Sequence, residues 1–349
     1  MKHTVFISLL LGTGLMFSAP EADACTRVLY QGDNGEVITG RSLDWKEEIP
    51  TNLYVLPQGI ARRSYDTDSC LTWVSQYGSV VAVGYDMGVT EGMNQEGLVC
   101  NLLYLPGSTY TYPGDRRLYM SSSLWAQWVL DNFATVNEAV RAISRDLFRI
   151  DAPKMPGGSE TTLHMAISDI TGNSCIVEYI DGKLSLHVGH EYTVLTNAPP
   201  YDRQLVIRDY WQKVGGMNML PGTNRAEDRF TRASFYLSAI PRDARHDLAL
   251  AGVFGILFNC SVPVGMHVEG SPELSATRWR SVADQKNAVY YFATLLNPSV
   301  MWIDLNDFLL SPGAPVMKLD MMQQKKAYLG NVVKDMKRSK AYTPLFRYQ

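Results

Sequence analysis

The order in which short apolar runs and turn residues alternate constrains the fold more than any other feature. "YVLP", "SVVAVGYD", "GLVCNLLYL", "LHMAISD", "SCIVEYI", "KLSLHVG" and "YTVLTNA" have strand length, and turns such as "DITGN" and "IDGK" join several of them. Two predicted helices interrupt the series. The first is "RLYMSSSLWAQWVLDN"; the second opens on the capping box Thr135-x-x-Glu138 and runs through "EAVRAISRDLF". A second helical pair is expected over roughly "EDRFTRASFYLSAI" and "RHDLALAGVFGILF", and "NAVYYFATLL" and "SVMWIDLN" close the chain as strands. Strands, helices, strands, helices, strands fit antiparallel sheets covered by helix pairs, an α+β chain, better than a parallel βαβ sheet. No repeat, long linker or low-complexity segment divides the sequence, so residues 25–349 are expected to form one domain.

The start of the chain has the layout of a secretory signal. Lys2 precedes an apolar run from Thr4 to Phe17, and Ala22-Asp23-Ala24 supplies a small-residue cleavage pattern. Removal of residues 1–24 would make Cys25 the first residue of an exported protein, periplasmic or secreted. Just beyond the cut, "CTRVLYQ" and "EVITGRSLDW" flank "GDNG", a tight hairpin turn. Counting outward from that turn places Cys25 opposite residues 42 to 44, with Arg41, Ser42 and Asp44 as cross-strand neighbours.

Three chemistries compete for Cys25. A lipid anchor needs a lipobox, usually with Leu three residues before the cysteine, and Ala22 followed by the acidic Asp23 argues against it. Of the five cysteines, Cys100, Cys175 and Cys260 lie in apolar runs where a free thiol packs as a small hydrophobe, the pairing of Cys70 stays open, and a terminal cysteine inside a regular strand has no obvious disulfide partner. As a nucleophile, a terminal cysteine carries its own base, because an α-amine titrates at about 7.7 to 8.0 and a thiol at about 8.5. Arg41 would favour the thiolate and Asp44 would accept hydrogen bonds from the terminal amine. The same two residues also suit an ordinary cross-strand ion pair.

Other chemistries find little support. P-loop, G-x-G-x-x-G, H-E-x-x-H and G-x-S-x-G motifs are absent. His187 and His190, three apart on a strand, point to opposite faces, so no metal site and no cofactor is expected. A formal charge of −3 carries no polyanion-binding signature, and the lysines from Lys318 to Lys340 read as a solvated face. Asn259-Cys260-Ser261 matches a glycosylation pattern that is common by chance, and Glu47-Glu48 diverge as a polar strand exit.

With "CTRVLY…GRSLDW" come "TNAPPYDRQL", "LPGTNRAEDRFTRASFYL" and "TRWRSVADQKNAVYYFATLLNP", in order over nearly all of the mature chain. This set resembles the choloylglycine hydrolase family of bile salt hydrolases and penicillin V acylases, and is similar to its Gram-negative, Bacteroides-type branch. The resemblance implies the four-layer αββα sandwich of N-terminal-nucleophile hydrolases and a homotetramer. It also implies Cys25 as nucleophile, Arg41 beside it, Asp44 on the terminal amine, Asn197 in the oxyanion hole and Arg229 as a second active-site arginine. Tyr104 stands where Gram-positive bile salt hydrolases have an asparagine, as in penicillin V acylases, and a backbone N–H there can still serve the oxyanion hole. "YWQKVGGMNMLPG" is short where Gram-positive members carry a longer assembly loop.

The expected reaction is hydrolysis of a linear amide with an apolar acyl group. Trp45, Met87, Tyr104 and Tyr110 are candidates to line its pocket. A glycine- or taurine-conjugated bile acid is the first expectation from overall resemblance, and penicillin V or an N-acyl homoserine lactone the second. An exported binding or surface protein, in which the hairpin is only structural, is the alternative from another class.

Overall fold

The structure is a computed structural model that describes residues 25–156, 162–265, 275–322 and 327–346; the expected signal segment lies outside them. The N-terminal hairpin is β1 (Thr26–Gln31) and β2 (Val37–Trp45). After it come β3 (Thr51–Leu56), a small ribbon of β4 (Ala61–Arg63) and β5 (Thr72–Val74), and the meander β6 (Ser79–Gly84), β7 (Gly88–Asn94) and β8 (Val99–Tyr104). β9 (Leu118–Ser121) leads into α1 (Ser122–Asn132), α2 (Val136–Ile143) and β10 (Phe148–Asp151). A second meander follows, made of β11 (Leu163–Ser168), β12 (Ser174–Ile180), β13 (Lys183–Val188) and β14 (Val194–Leu195). The helices α3 (Tyr201–Val214), α4 (Ala226–Ala239) and α5 (His246–Asn259) precede β15 (Ala276–Asp284), β16 (Val289–Thr294) and β17 (Met301–Asp304). Last are β18 (Val316–Leu319), β19 (Gly330–Asn331) and β20 (Lys337–Ser339).

These strands make two large sheets. One has seven strands in the order β14-β1-β2-β15-β16-β17-β19, antiparallel except for β17 with β19. The other has nine, β13-β12-β11-β8-β7-β6-β3-β18-β20, antiparallel throughout. Helices α1 and α2 lie against the nine-stranded sheet, and α4 and α5 against the seven-stranded sheet with α3 packed on α4. The layers run helix, sheet, sheet, helix, the order that the family resemblance implies.

The period of two in β6 shows how one strand serves two cores. Val80 and Ala82 enter the core shared with the other sheet, while Val81 and Val83 join Trp125, Leu130 and Val136 beneath α1 and α2. All six residues of β6 are buried because both faces are covered, whereas the edge strand β13 is largely half-exposed. The same alternation divides the hairpin. Arg41 of β2 reaches Glu91 of the opposing sheet, while Gly40 faces Val253 and Leu257 of α5. Thr26 of β1 faces α4, where Arg229 donates to its hydroxyl. Cys25 sits where the hairpin ends and is met by Arg41 of β2 and by Arg229 of α4.

Several elements depart from the sequence expectation. Residues 118–121, expected as helix, form β9 and pair with β10, and Ser121 caps α1 by accepting from the Ser123 N–H. The Thr135–Glu138 capping box is present, but α2 ends at Ile143 and Phe148 belongs to a strand. Among the elements the sequence reading does not mark, two are long. α3 buries only Tyr201 and Gln204, too few positions for an apolar stripe. The long central strand β15 has a bulge between Thr277 and Trp279 that breaks its alternation. All five cysteines are free, and Cys100, Cys175 and Cys260 are buried as expected.

Gly40 is needed because α5 crosses β2 there: a Cβ would lie 2.5 Å from Val253 Cγ1. Gly40→Val is expected to destabilise the fold by about 1–3 kcal/mol through overpacking, read as a lower denaturant midpoint. An unchanged midpoint would show that α5 is not held against the hairpin.

Candidate active site

Pairing of Thr26 with Ser42 continues outward to set Cys25 beside Leu43 and Asp44, in the register the hairpin turn implies. Cys25 is buried, and its sulfur lies 3.7 Å from Arg41 Nη2 and 3.8 Å from the Asp44 carbonyl oxygen. Its nitrogen donates to Asn197 Oδ1 at 2.5 Å. Asn197, just after β14, donates from Nδ2 to the Tyr104 carbonyl at 2.8 Å. Arg229 Nη2 donates to the same Oδ1 at 3.0 Å, so two donors fix which end of this amide is oxygen. Arg229 Nη1 also donates to the Cys25 carbonyl at 2.5 Å and to Thr26 Oγ1 at 2.7 Å.

Arg41 is buried between the sheets and held on three sides. It pairs with Glu91 at 3.1 Å, donates to the Leu102 carbonyl at 2.8 Å, and lies 4.6 Å from the centre of the Trp279 ring. Glu91 is itself filled by Asn101, the Tyr290 hydroxyl at 2.5 Å and Ser281. None of these supports is marked in the sequence. A carboxylate buried in the strand "GVTEGMN" is the nearest signal for Glu91.

Asp44 is buried, accepts from Ser42 Oγ at 3.2 Å, and leaves Oδ1 without a partner. Burial pushes its carboxyl up to about 6, against the pull of Arg229, the neighbouring hydroxyls of Thr277 and Ser42, and Arg41. Burial likewise lowers the Arg229 guanidinium from its ordinary value, with Asp44 the largest opposing charge.

Beside Cys25 opens an apolar cavity of about 100 Å³ whose walls include Leu43, Trp45, Met87, Val89, Leu102, Tyr104, Leu163 and Leu345. Trp45 and Tyr104 meet edge to face at 5.3 Å. Met87 follows a turn with positive φ at Tyr85 and Asp86, anchored by Asn52, Tyr54 and Lys318 on the Asp86 carboxylate. Of the residues expected in this pocket, Trp45, Met87 and Tyr104 line it. Tyr110 does not: it packs with Trp125 and Tyr179 beneath α1, and its hydroxyl binds the Leu163 carbonyl behind the wall. Its large ring, chosen from sequence for area without charge, fills the core. Leu345 had no sequence signal.

Among the described residues, the one group of side chains able to hold a metal ion together is Glu36, His246 and Asp284. It lies at the turn end of the hairpin, far along both strands from Cys25, and is joined by contacts of 3.0 and 3.4 Å to His246. His187 lies in β13, one residue before its end, and pairs with Asp202, while His190 lies beyond the strand.

A linear-amide C–N hydrolase profile, that of the choloylglycine hydrolase family, matches residues 25–321. A penicillin V acylase from Pectobacterium atrosepticum is 40% identical over 321 residues, 85% of this chain and 85% of that protein. A bile salt hydrolase/transferase from Clostridium perfringens is 27% identical over 81% of this chain and 92% of its own length. The solved penicillin V acylase from Agrobacterium tumefaciens has a TM-score of 0.85 at 45% identity, covering 92% of this chain and 99% of that one. A conjugated bile acid hydrolase variant from Clostridium perfringens shares the fold, with a TM-score of 0.73 at 23% identity over 87% of this chain and 99% of its own.

Asp44 also makes a testable contribution to stability. Its folded value is raised above 3.8, so its contribution is complete below pH about 4 and is lost as the pH rises through about 6. In a chain that retains residues before Cys25, Asp44→Asn is therefore expected to raise the melting temperature at pH 7.5 by a few degrees, on the order of 3 kcal/mol at most. The gap should close at pH 4. Equal gaps at both pH values would contradict the assignment.

Proposed function

The chain belongs to the linear amide C–N hydrolases of the choloylglycine hydrolase family, and on that premise we propose that Cys25, freed by removal of residues 1–24, is the nucleophile and its α-amine the base. Residues 25–349 then act as one exported hydrolase domain. The unpartnered Asp44 Oδ1 supports this reading, because a new ammonium at Cys25 would supply the donor that this buried oxygen lacks.

In the proposed reaction the amine takes the thiol proton and the sulfur adds to the substrate carbonyl carbon. The amide hydrogen of Asn197 not used on Tyr104, with a backbone N–H near Tyr104, stabilises the oxyanion. Collapse breaks the C–N bond, and the α-ammonium returns its proton to the leaving nitrogen. Water then cleaves the thioester and restores the thiol. Arg41 offsets negative charge on sulfur, while Arg229 holds the Cys25 carbonyl and Asn197 in register.

The cavity carries the choice of acyl group. At about 100 Å³ the cavity is somewhat below the ~150 Å³ that holds a benzene and well below the ~300 Å³ at which drug-sized pockets begin, so it favours a one-ring group over a larger one. A phenoxyacetyl group matches that size and apolar lining better than the four-ring acid of a conjugated bile salt, which reverses the order expected from resemblance alone. The 40% identity to a penicillin V acylase agrees in direction. Association into a homotetramer is proposed through α3 and the loop after it, where Val206, Tyr210, Met217 and Met219 are exposed. A periplasmic or secreted location rests on the leader sequence.

With protein beginning at Cys25, kcat/KM for penicillin V is expected to exceed that for a glycine-conjugated bile acid by roughly tenfold or more. Cys25→Ala should lower the former by about a thousandfold or more. Faster bile-salt cleavage would overturn the acyl assignment, and an active Cys25→Ala protein would overturn the nucleophile.

A further inference from the structure

The family profile ends at residue 321, yet the cavity beside Cys25 is closed partly by a residue 24 positions further on. Leu345 is half-buried and faces the same space as Cys25, Trp45 and Met87. Its backbone is fastened on both sides. Its N–H donates to the Met87 carbonyl at 3.1 Å, and its carbonyl accepts from Ser123 Oγ at 2.9 Å and Ser121 Oγ at 2.5 Å, at the start of α1. The flanking residues anchor the segment independently. Tyr342 is buried against Tyr54 and bonds Gln127 at 3.3 Å, and Phe346 packs on Tyr65 at 5.7 Å. Backbone held between two such anchors cannot shift without breaking them, so the side chain projects from a fixed point and its length limits how far an acyl group can extend.

We propose that Leu345 is a specificity-determining wall of the acyl cavity, contributed by the C-terminal tail, and that its size sets the largest acyl group accepted. The proposal rests on the amidase reading above. Trimming the side chain lengthens the cavity toward α1, and enlarging it shortens the cavity at the same end.

The test uses two penicillins with one leaving group, carrying phenoxyacetyl and naphthoxyacetyl side chains, with release of 6-aminopenicillanate as the readout. Leu345→Ala is expected to raise the naphthoxyacetyl-to-phenoxyacetyl ratio of kcat/KM by about tenfold or more, and Leu345→Phe to lower phenoxyacetyl cleavage by a similar factor. Alkylation of Cys25 by iodoacetamide at the parent rate reports an intact site, and either variant that meets this standard decides the question. Ratios within about twofold of the parent in such a variant would overturn the role of Leu345 while leaving the amidase reading in place. A parent protein that cleaves neither penicillin would overturn the penicillin reading and this proposal together.

Discussion

Burying the Arg41 guanidinium between two sheets is the constraint to which the rest of the site is fitted. Removing a cation from water costs several kcal/mol unless its hydrogen bonds and charge are answered. Here the answer comes from Glu91 on β7, the Leu102 carbonyl on β8 and the Trp279 ring on β15. Glu91 in turn takes Ser281 and Tyr290 from β15 and β16. Five strands of both sheets are thereby committed to one geometry, and that geometry puts a positive charge 3.7 Å from the Cys25 sulfur. Breaking such a buried pair costs about 3–5 kcal/mol, so the position of the cation is secured by the stability of the core.

The other half of the site works against stability. Asp44 is buried with one oxygen unpartnered, close to two arginines but not hydrogen-bonded to either, and its carboxyl is raised to about 6. Arg229 is buried too, and it spends its donors on the Cys25 carbonyl, Thr26, Asn197 and Asn224 rather than on a carboxylate. A core selected only for stability would not keep this arrangement. It makes sense if the nitrogen of Cys25 becomes an amine, since that adds a cation and hydrogen-bond donors next to Asp44.

Much of this was legible in the sequence, for identifiable reasons. The "GDNG" turn sets the register of β1 and β2, so the neighbours of Cys25 follow by counting. The Thr135–Glu138 box marked where α2 begins because its hydrogen bonds are local. What escaped depends on distant contacts. α3 has too few buried positions to show a period, and the bulge in β15 scrambles the alternation of "ATRWRSVAD". Tyr110 and Tyr104 look alike as residues, and only the packing shows that one fills a core while the other lines the cavity. Leu345 reaches the cavity through a tail of little regular structure, which no local pattern predicts.

The proposed mechanism turns on one chemical event, the conversion of the Cys25 nitrogen from amide to amine. The most direct measurement compares kcat for penicillin V between protein beginning at Cys25 and the same protein retaining Ala24, with Cys25 alkylation confirming that the thiol is equally accessible in both. The protein beginning at Cys25 is expected to turn over faster by about a hundredfold or more, because the thiol of the other lacks its base. Equal turnover in the two would contradict the mechanism and require a different base.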